Sequence, residues 1–227
     1  PPVPREERKE ALRWSLKEMV NYPVETACLD VLDIPAEGLP QGRAAGVLVV
    51  SAAESTVRAC AAPFEAAEVD LAAIDIPELA QRNIAALLED ENRGLVFLRI
   101  DESGMMLTLT FRGELVAVRR SDMNSAQLGS RDEEQRGRVM ERLLLEMQRS
   151  LDNFDRQYGF ISVSRLLVCS EFDCAAAVAG LAQNLYLPVQ VADLAQVVEF
   201  SGVPELRSVE RQAQCLLAIG AALRSDA

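Results

Sequence analysis

The chain has 227 residues, of which 49% are apolar and 26% charged, so it can bury one large core or two smaller ones and is not generally disordered. A formal net charge of −12 argues against nucleic acid or anionic lipid as the main partner, because both call for a basic face. No apolar run approaches the roughly 18 residues of a membrane span, and no secretory signal is visible.

The chain opens Pro1-Pro2-Val3-Pro4 without an initiator methionine, which leads to the expectation that it is a piece of a longer protein. Residues 5–20 read as a helix, with Pro4 at its start and Leu12, Leu16, Met19 and Val20 on one face. Trp14 lies off that stripe and reads as packing, with a partner contact as the alternative. Asn21-Tyr22-Pro23 ends the helix. A strand is expected over 26–34, a turn-rich loop over 35–42, and a buried strand over 45–52 (AGVLVVSA). A helix over 54–65, disturbed by Pro63 in its last turn, leads to a further strand at 69–75. Ile76-Pro77 starts a helix running to about residue 90. This first part alternates strand and helix, so it is α/β.

The second part changes character. Residues 94–100, 105–111 and 114–120 are three successive strands, joined by Asp101-Glu102-Ser103-Gly104 and by Arg112-Gly113, which makes an antiparallel meander. Residues 121–130 read as a polar linker. A long helix over 132–158 carries Val139, Leu143, Met147, Leu151, Phe154 and Tyr158 at spacings of three and four, with Gly137 as a weak point and Gly159 as its end. Residues 165–169 are a short buried strand, 174–184 an alanine-rich helix, 188–192 a short strand, 194–207 irregular or partly helical, and 209–223 a closing helix.

The chemistry on offer is narrow. The chain has no histidine, which removes the usual general base, the Cys–His and Ser–His pairs and the commonest zinc ligand. Cys28, Cys60, Cys169, Cys174 and Cys215 lack CxxC spacing, and several sit in apolar runs, so they read as buried free thiols of a reducing compartment. No paired-carboxylate pattern stands out, and no metal site is expected. The stretch from Arg165 to Cys174 stands apart, because it runs strand, turn, helix. That arrangement often holds a phosphate on the free N–H groups of the helix start, usually with glycine in the turn. Here the turn is Ser170-Glu171-Phe172-Asp173.

A meander, a long helix, a strand, a helix and a final helix are the order of half an actin-type fold. The runs EMQRSLDNFDRQYG, VSRLLVCSEFDCAAAVAGLAQNLYLPVQVAD and CLLAIGAALR, with EALRWSLKEMVNYPVETACLDVLDI and GVLVVSA toward the start, resemble the actin-like pilus assembly proteins of the PilM type. Within that group the MSHA pilus branch is the nearest likeness, and the cytoplasmic domain of the type II secretion protein GspL a weaker one. The resemblance covers nearly the whole chain. It implies an α/β, actin-like (ribonuclease H-like) ATPase fold, truncated at its N-terminus and with a reduced second-half subdomain. Residues 1–75 would be the inserted subdomain. Residues 76–227 would be the actin-like core, with its linking helix, the meander at 94–120, the long helix at 131–158 and a C-terminal α/β part.

What the resemblance implies about nucleotide binding is carried over by position. The first phosphate loop of such ATPases precedes Pro1. The second corresponds to Asp101-Glu102-Ser103-Gly104-Met105-Met106, where Asp101 is retained but Glu102 adds a negative charge and two methionines replace small residues. Two unit charges about 4 Å apart interact by roughly 4 kcal/mol at an effective dielectric of 20, so Glu102 beside phosphates calls for a compensating cation. The adenosine-binding glycine turn corresponds to Ser170-Glu171-Phe172. The expectation is a degraded site without catalytic residues, vestigial at Asp101, Ser103, Gly104, Ser170, Glu171 and Phe172, and needing no cofactor. Asp101 reads as a plain hairpin turn residue ahead of a remnant Mg²⁺ role. The alternative is an active ATPase that binds ATP and Mg²⁺.

The same resemblance implies a non-catalytic scaffold at the cytoplasmic face of the inner membrane. It would dock the short cytoplasmic tail of an inner-membrane pilus assembly protein in a groove bordered by Trp14, Tyr22, Pro23 and Val24. An extended peptide would gain backbone hydrogen bonds and side-chain pockets there. The bland reading is that these residues join two subdomains. Homo-oligomers or filaments remain open.

Overall fold

A computed structural model describes residues 5–36, 39 and 46–225, so Pro1–Pro4 and most of the loop expected at 35–42, along with Ala45, lie outside the described residues. The chain divides into two compact units, residues 1–75 and 76–227, each taken by itself.

In the first unit, α1 (Arg5–Leu16) precedes two antiparallel strands, β1 (Cys28–Asp33) and β2 (Val47–Ala52), and then α2 (Glu54–Ala66). Cys28 stands opposite Ala52 and Asp33 opposite Val47. Arg13 ties α1 to the following turn, its Nη1 donating to the carbonyls of Val24 (2.6 Å), Ala27 (3.0 Å) and Glu25 (3.3 Å). Arg8 and Lys9 pair with Asp33 and Asp30 of β1. Val24, Ala27 and Ile34 form the small buried core here.

Four expectations change in this unit. α1 stops at Leu16, because the amides of Met19 and Val20 both turn back to the Leu16 carbonyl, and Met19 is left 77% exposed. Trp14 is 76% exposed with the Lys17 ammonium 5.8 Å from its ring centre, so it does not pack inside. β2 is half-buried along its whole length, since a two-stranded sheet lends it one neighbour only. Residues 69–75 form no strand and pair with neither sheet, and Val69, Leu71 and Ile74 are exposed. Apolar, β-favouring residues make a strand only where a partner takes up their backbone groups.

The second unit begins with α3 (Pro77–Leu88). The meander follows as β3 (Gly94–Asp101), β4 (Gly104–Phe111) and β5 (Glu114–Ser121). Then come α4 (Ser125–Leu128), α5 (Glu133–Tyr158), β6 (Val163–Ser170), α6 (Ala175–Asn184), β7 (Val189–Val191) and α7 (Val209–Ala222), with 3₁₀ turns at Leu194–Gln196 and Pro204–Arg207. Its mixed sheet has five strands in the order β5-β4-β3-β6-β7. β3, β4 and β5 are antiparallel, while β6 runs parallel to β3 and β7 parallel to β6.

Both faces of this sheet are covered, which is why β3, β4 and β6 read as continuous apolar runs. On one face Leu95, Phe97, Leu167 and Cys169 pack with Ile84, Ala85 and Leu88 of α3 and Leu216 of α7. Helices α3 and α7 meet closely at Gly220, where a Cβ would lie 2.0 Å from the Ala80 carbonyl oxygen, and Asn83 bonds the Gly220 carbonyl at 2.8 Å. Gln81, fully buried under the sheet, donates to Phe97 O (3.0 Å) and Thr108 Oγ1 (2.9 Å). The buried stripe of α5 (Leu143, Met147, Leu151, Phe154) serves the opposite face, where Leu151 and Phe154 lie with Leu109.

The segment expected as a polar linker, 121–130, is ordered. α4 sits in it, closed by a capping box between Asn124 and Gln127, with Met123, Ser125 and Leu128 buried. α5 starts on the Asp132 carboxylate, which accepts from the amides of Glu134 and Gln135.

Candidate functional site

The parallel strands β3 and β6 end side by side, Ile100 opposite Ser170, and the hairpin to β4 and the end of β5 lie at the same edge of the sheet. Open α/β sheets bind ligands outside the carboxyl ends of their parallel strands. Asp101, Ser103, Gly104, Ser170, Glu171 and Phe172 are all brought to this edge.

Asp101 is fully engaged. Its Oδ1 accepts from the Ser103 amide at 2.8 Å and the Ser103 hydroxyl at 2.6 Å, and its Oδ2 pairs with Arg99 Nη1 at 2.7 Å. The Arg99 and Asp101 side chains are only 12% and 23% exposed, so this pair is shielded more than an ordinary surface bridge. Gly104 has φ +143°, and a Cβ there would stand 2.4 Å from the Ser121 carbonyl oxygen, so the turn needs glycine for its own closure. Glu102 and Ser103 are exposed, whereas Met105 and Met106 are buried.

On the β6 side, Ser170 is buried and its Oγ accepts from the Phe172 amide at 3.4 Å. Glu171 Oε1 accepts from Ser125 Oγ at 2.8 Å, which bridges the β6–α6 turn to α4. Asp173 Oδ1 accepts from the Ala175 amide at 2.9 Å. A carboxylate of the chain therefore takes the first N–H of α6, at the place where an anionic ligand would meet free N–H groups and the positive end of the helix dipole. Phe172 is half-buried.

Cysteine chemistry is muted here. Burial pushes the Cys169 thiol up to about 12, with Cys174 adding to the rise, and burial also raises Cys174. Both remain protonated at neutral pH, which disfavours nucleophilic or metal-ligand roles. Among the described residues no cluster of three or more Cys, Asp or Glu is arranged to hold a metal ion.

Trp14, Tyr22, Pro23 and Val24 belong to the first unit. Trp14 and Pro23 are exposed there, and Tyr22 is half-buried with its hydroxyl donating to Ser51 Oγ at 2.8 Å. Val24 is buried, which takes its side chain off any rim.

Sequence reasoning missed Ser125 and did not foresee the contacts of Arg99 with Asp101 and of Asp173 with the Ala175 amide. Asn124 and Gln127, three apart, were a readable capping signal for α4, and Asp173 just before the alanine run was a readable helix start. Arg99 and Asp101, two apart on β3, lie on one face of the strand, so their pairing was readable too.

No protein-family model and no curated protein sequence matches the chain. Among solved structures, it is similar to a chain of a PilM–PilN type IV pilus biogenesis complex, with 20% identity over 98% of this chain and 73% of that one, at a TM-score of 0.74. It also aligns with a Bacteroides thetaiotaomicron protein of actin-like ATPase fold (11% identity, 96% of this chain, 66% of that one, TM-score 0.46). A third match is the cytoplasmic domain of EpsL, an inner-membrane component of the Vibrio cholerae type II secretion system (14%, 100%, 68%, TM-score 0.46). The two lower scores carry no weight beside the first, and at 20% identity even that likeness speaks to architecture alone. The chain has the actin-like α/β fold, built around a five-stranded mixed sheet.

Proposed function

We propose that the chain is a non-catalytic scaffold in the assembly of a type IV pilus of the MSHA type, closest to the biogenesis protein MshI. In this reading it works at the cytoplasmic face of the inner membrane and docks the short cytoplasmic tail of an inner-membrane partner. The observation that carries the non-catalytic part is the use of the chain's own carboxylates at the sheet edge. Asp173 holds the α6 start, Glu171 bonds Ser125, and both oxygens of Asp101 are engaged. This arrangement supports the reading without ATP and Mg²⁺: the side chains of Glu171 and Phe172 stand where the resemblance puts the adenosine turn, an anion at the α6 start would meet Asp173, and a metal would compete with Arg99 for Asp101. The pilus part rests on the resemblance in the chain's runs together with the shared architecture. Among the described residues no helix is long and apolar enough to cross a membrane, in keeping with attachment through a partner.

The second reading is an ATP-binding assembly protein, favoured by the retained Asp101 at the expected hairpin and by the overall order of elements. Calorimetric titration of the protein with Mg-ATP separates the two. The scaffold reading expects no saturable heat, and binding in the micromolar range would sink it.

A further inference from the structure

At the opposite edge of the same sheet, where β6 begins, lies a cavity of about 300 Å³. Its floor is apolar: Leu109 of β4, Leu151 and Phe154 of α5, and Ile161, all buried. Its rim is polar and aromatic: Asp155 and Tyr158 of α5, and Tyr186 from the loop between α6 and β7.

The rim is held firmly. The Ile161 amide bonds the Tyr158 carbonyl at 2.7 Å, the Gly94 amide bonds Ser162 O at 3.0 Å, and Tyr158 packs edge-on against Phe160. Tyr186 is 72% exposed, an unusual position for a large aromatic residue. Although the residue as a whole is exposed, partial burial around its hydroxyl, joined by the Asp155 and Asp152 carboxylates, pushes that hydroxyl above the usual tyrosine range.

Among the described residues no ion pair engages Asp152 or Asp155. The basic residues at this edge are committed to backbone: Arg156 donates to the Asp152 carbonyl, and Arg93 to the Val163 carbonyl at 2.9 Å. The result is a concave site with an apolar floor, aromatic walls and, on its rim, the Asp155 carboxylate, which no ion pair among the described residues engages.

We infer that this cavity binds the side chain of an arginine carried by a partner polypeptide, its stem over Leu109 and Phe154, its guanidinium against the Tyr158 and Tyr186 rings and beside Asp155. A guanidinium is planar, stacks on aromatic faces and pairs with carboxylate in two-point fashion, whereas an ammonium is a compact, strongly hydrated charge. The volume stands at the low end for ligand pockets, which suits one long side chain better than a nucleotide or a larger cofactor. The formal charge of −12 steers a basic segment toward the protein.

The test is a nitrogen-15 NMR titration of the 227-residue chain with a capped Gly-Arg-Gly peptide, its citrulline counterpart (same shape, no charge) and its lysine counterpart. The expected result is a saturable shift of the amides of residues 154–163 and of Tyr186 with the arginine peptide alone. Asp155→Asn and Tyr186→Ala should each weaken binding roughly tenfold, as loss of a contact to a charged group does. Both positions are exposed, and the unchanged remainder of each spectrum reports the fold. Equal binding of the citrulline or lysine peptide, shifts confined to other residues, or no saturable shift would overturn the inference.

Discussion

Glu171 and Ser125, 46 residues apart, share a hydrogen bond of 2.8 Å that joins the turn after β6 to the short helix between the meander and α5. Ser125 is buried, so the bond is shielded on its donor side. The turn is thus held by the chain's own side chains, which is why its glycine-free sequence is compatible with a well-formed edge.

If that bond supports the edge, Ser125→Ala should lower stability by about 1.5–3 kcal/mol, the usual worth of a hydrogen bond to a charged group. Urea unfolding of Ser125→Ala, Glu171→Ala and the double variant checks it, because the double variant should lose less than the two singles added together. The triple glycine variant at Ser170, Glu171 and Phe172 should still give no Mg-ATP heat, since Asp173 continues to hold the α6 start. A gain of nucleotide binding there would contradict the multiply altered edge.

Glycines separate by position. Gly104→Ala meets both a φ of +143° and the Ser121 carbonyl, and should cost about 2–4 kcal/mol. Gly137, within α5, has open space where a side chain would begin, with nothing within 4 Å of an added methyl. Gly137→Ala should therefore add about 0.5–1 kcal/mol through helix propensity. Chemical denaturation midpoints of the two variants should move in opposite directions.

Glu89 sets a pH dependence. Burial raises its pKa above 4.5, against the opposing Thr110 hydroxyl and the Gly113 and Arg112 amides. It also sits at the C-terminal end of α3, where the helix dipole disfavours a negative charge. The folded state therefore binds this proton more tightly than the unfolded chain. Its contribution is full below 4.5 and is lost as pH rises through the raised folded-state value. Glu89→Gln keeps an acceptor for the Gly113 amide, 2.9 Å away, and removes the charge. The variant should match the parent at acidic pH and exceed its stability at pH 7, which urea midpoints at the two pH values will show.

Local patterns carried much of the architecture. Three short apolar runs and the tight turn at Arg112-Gly113 were enough for the meander, and the spacing of three and four was enough for α5. The edge positions Asp101 and Ser170 were placed through resemblance, and both lie at the same end of the sheet. The failures fell where neighbours decide: Trp14 on the surface, Val24 inside, 69–75 without a strand, and α4 inside a segment that looked like plain linker.

By itself, the sequence determined the absence of histidine chemistry, the acidic charge and the order of elements in the second unit, because these depend on residue identity and short-range periodicity. Only the tertiary structure decided what the polar groups at the sheet edge do. Asp101 meets Arg99, Glu171 meets Ser125, and Asp173 meets the first turn of α6. Hydrogen bonds act over about 3 Å; the partners of Asp101 and Asp173 lie two residues away, but Glu171 and Ser125, 46 residues apart, meet only because the fold sets the turn after β6 against α4. The cavity at the other edge has the same origin: α5, the loop before β6 and Tyr186 shape it jointly, and no one segment announces it.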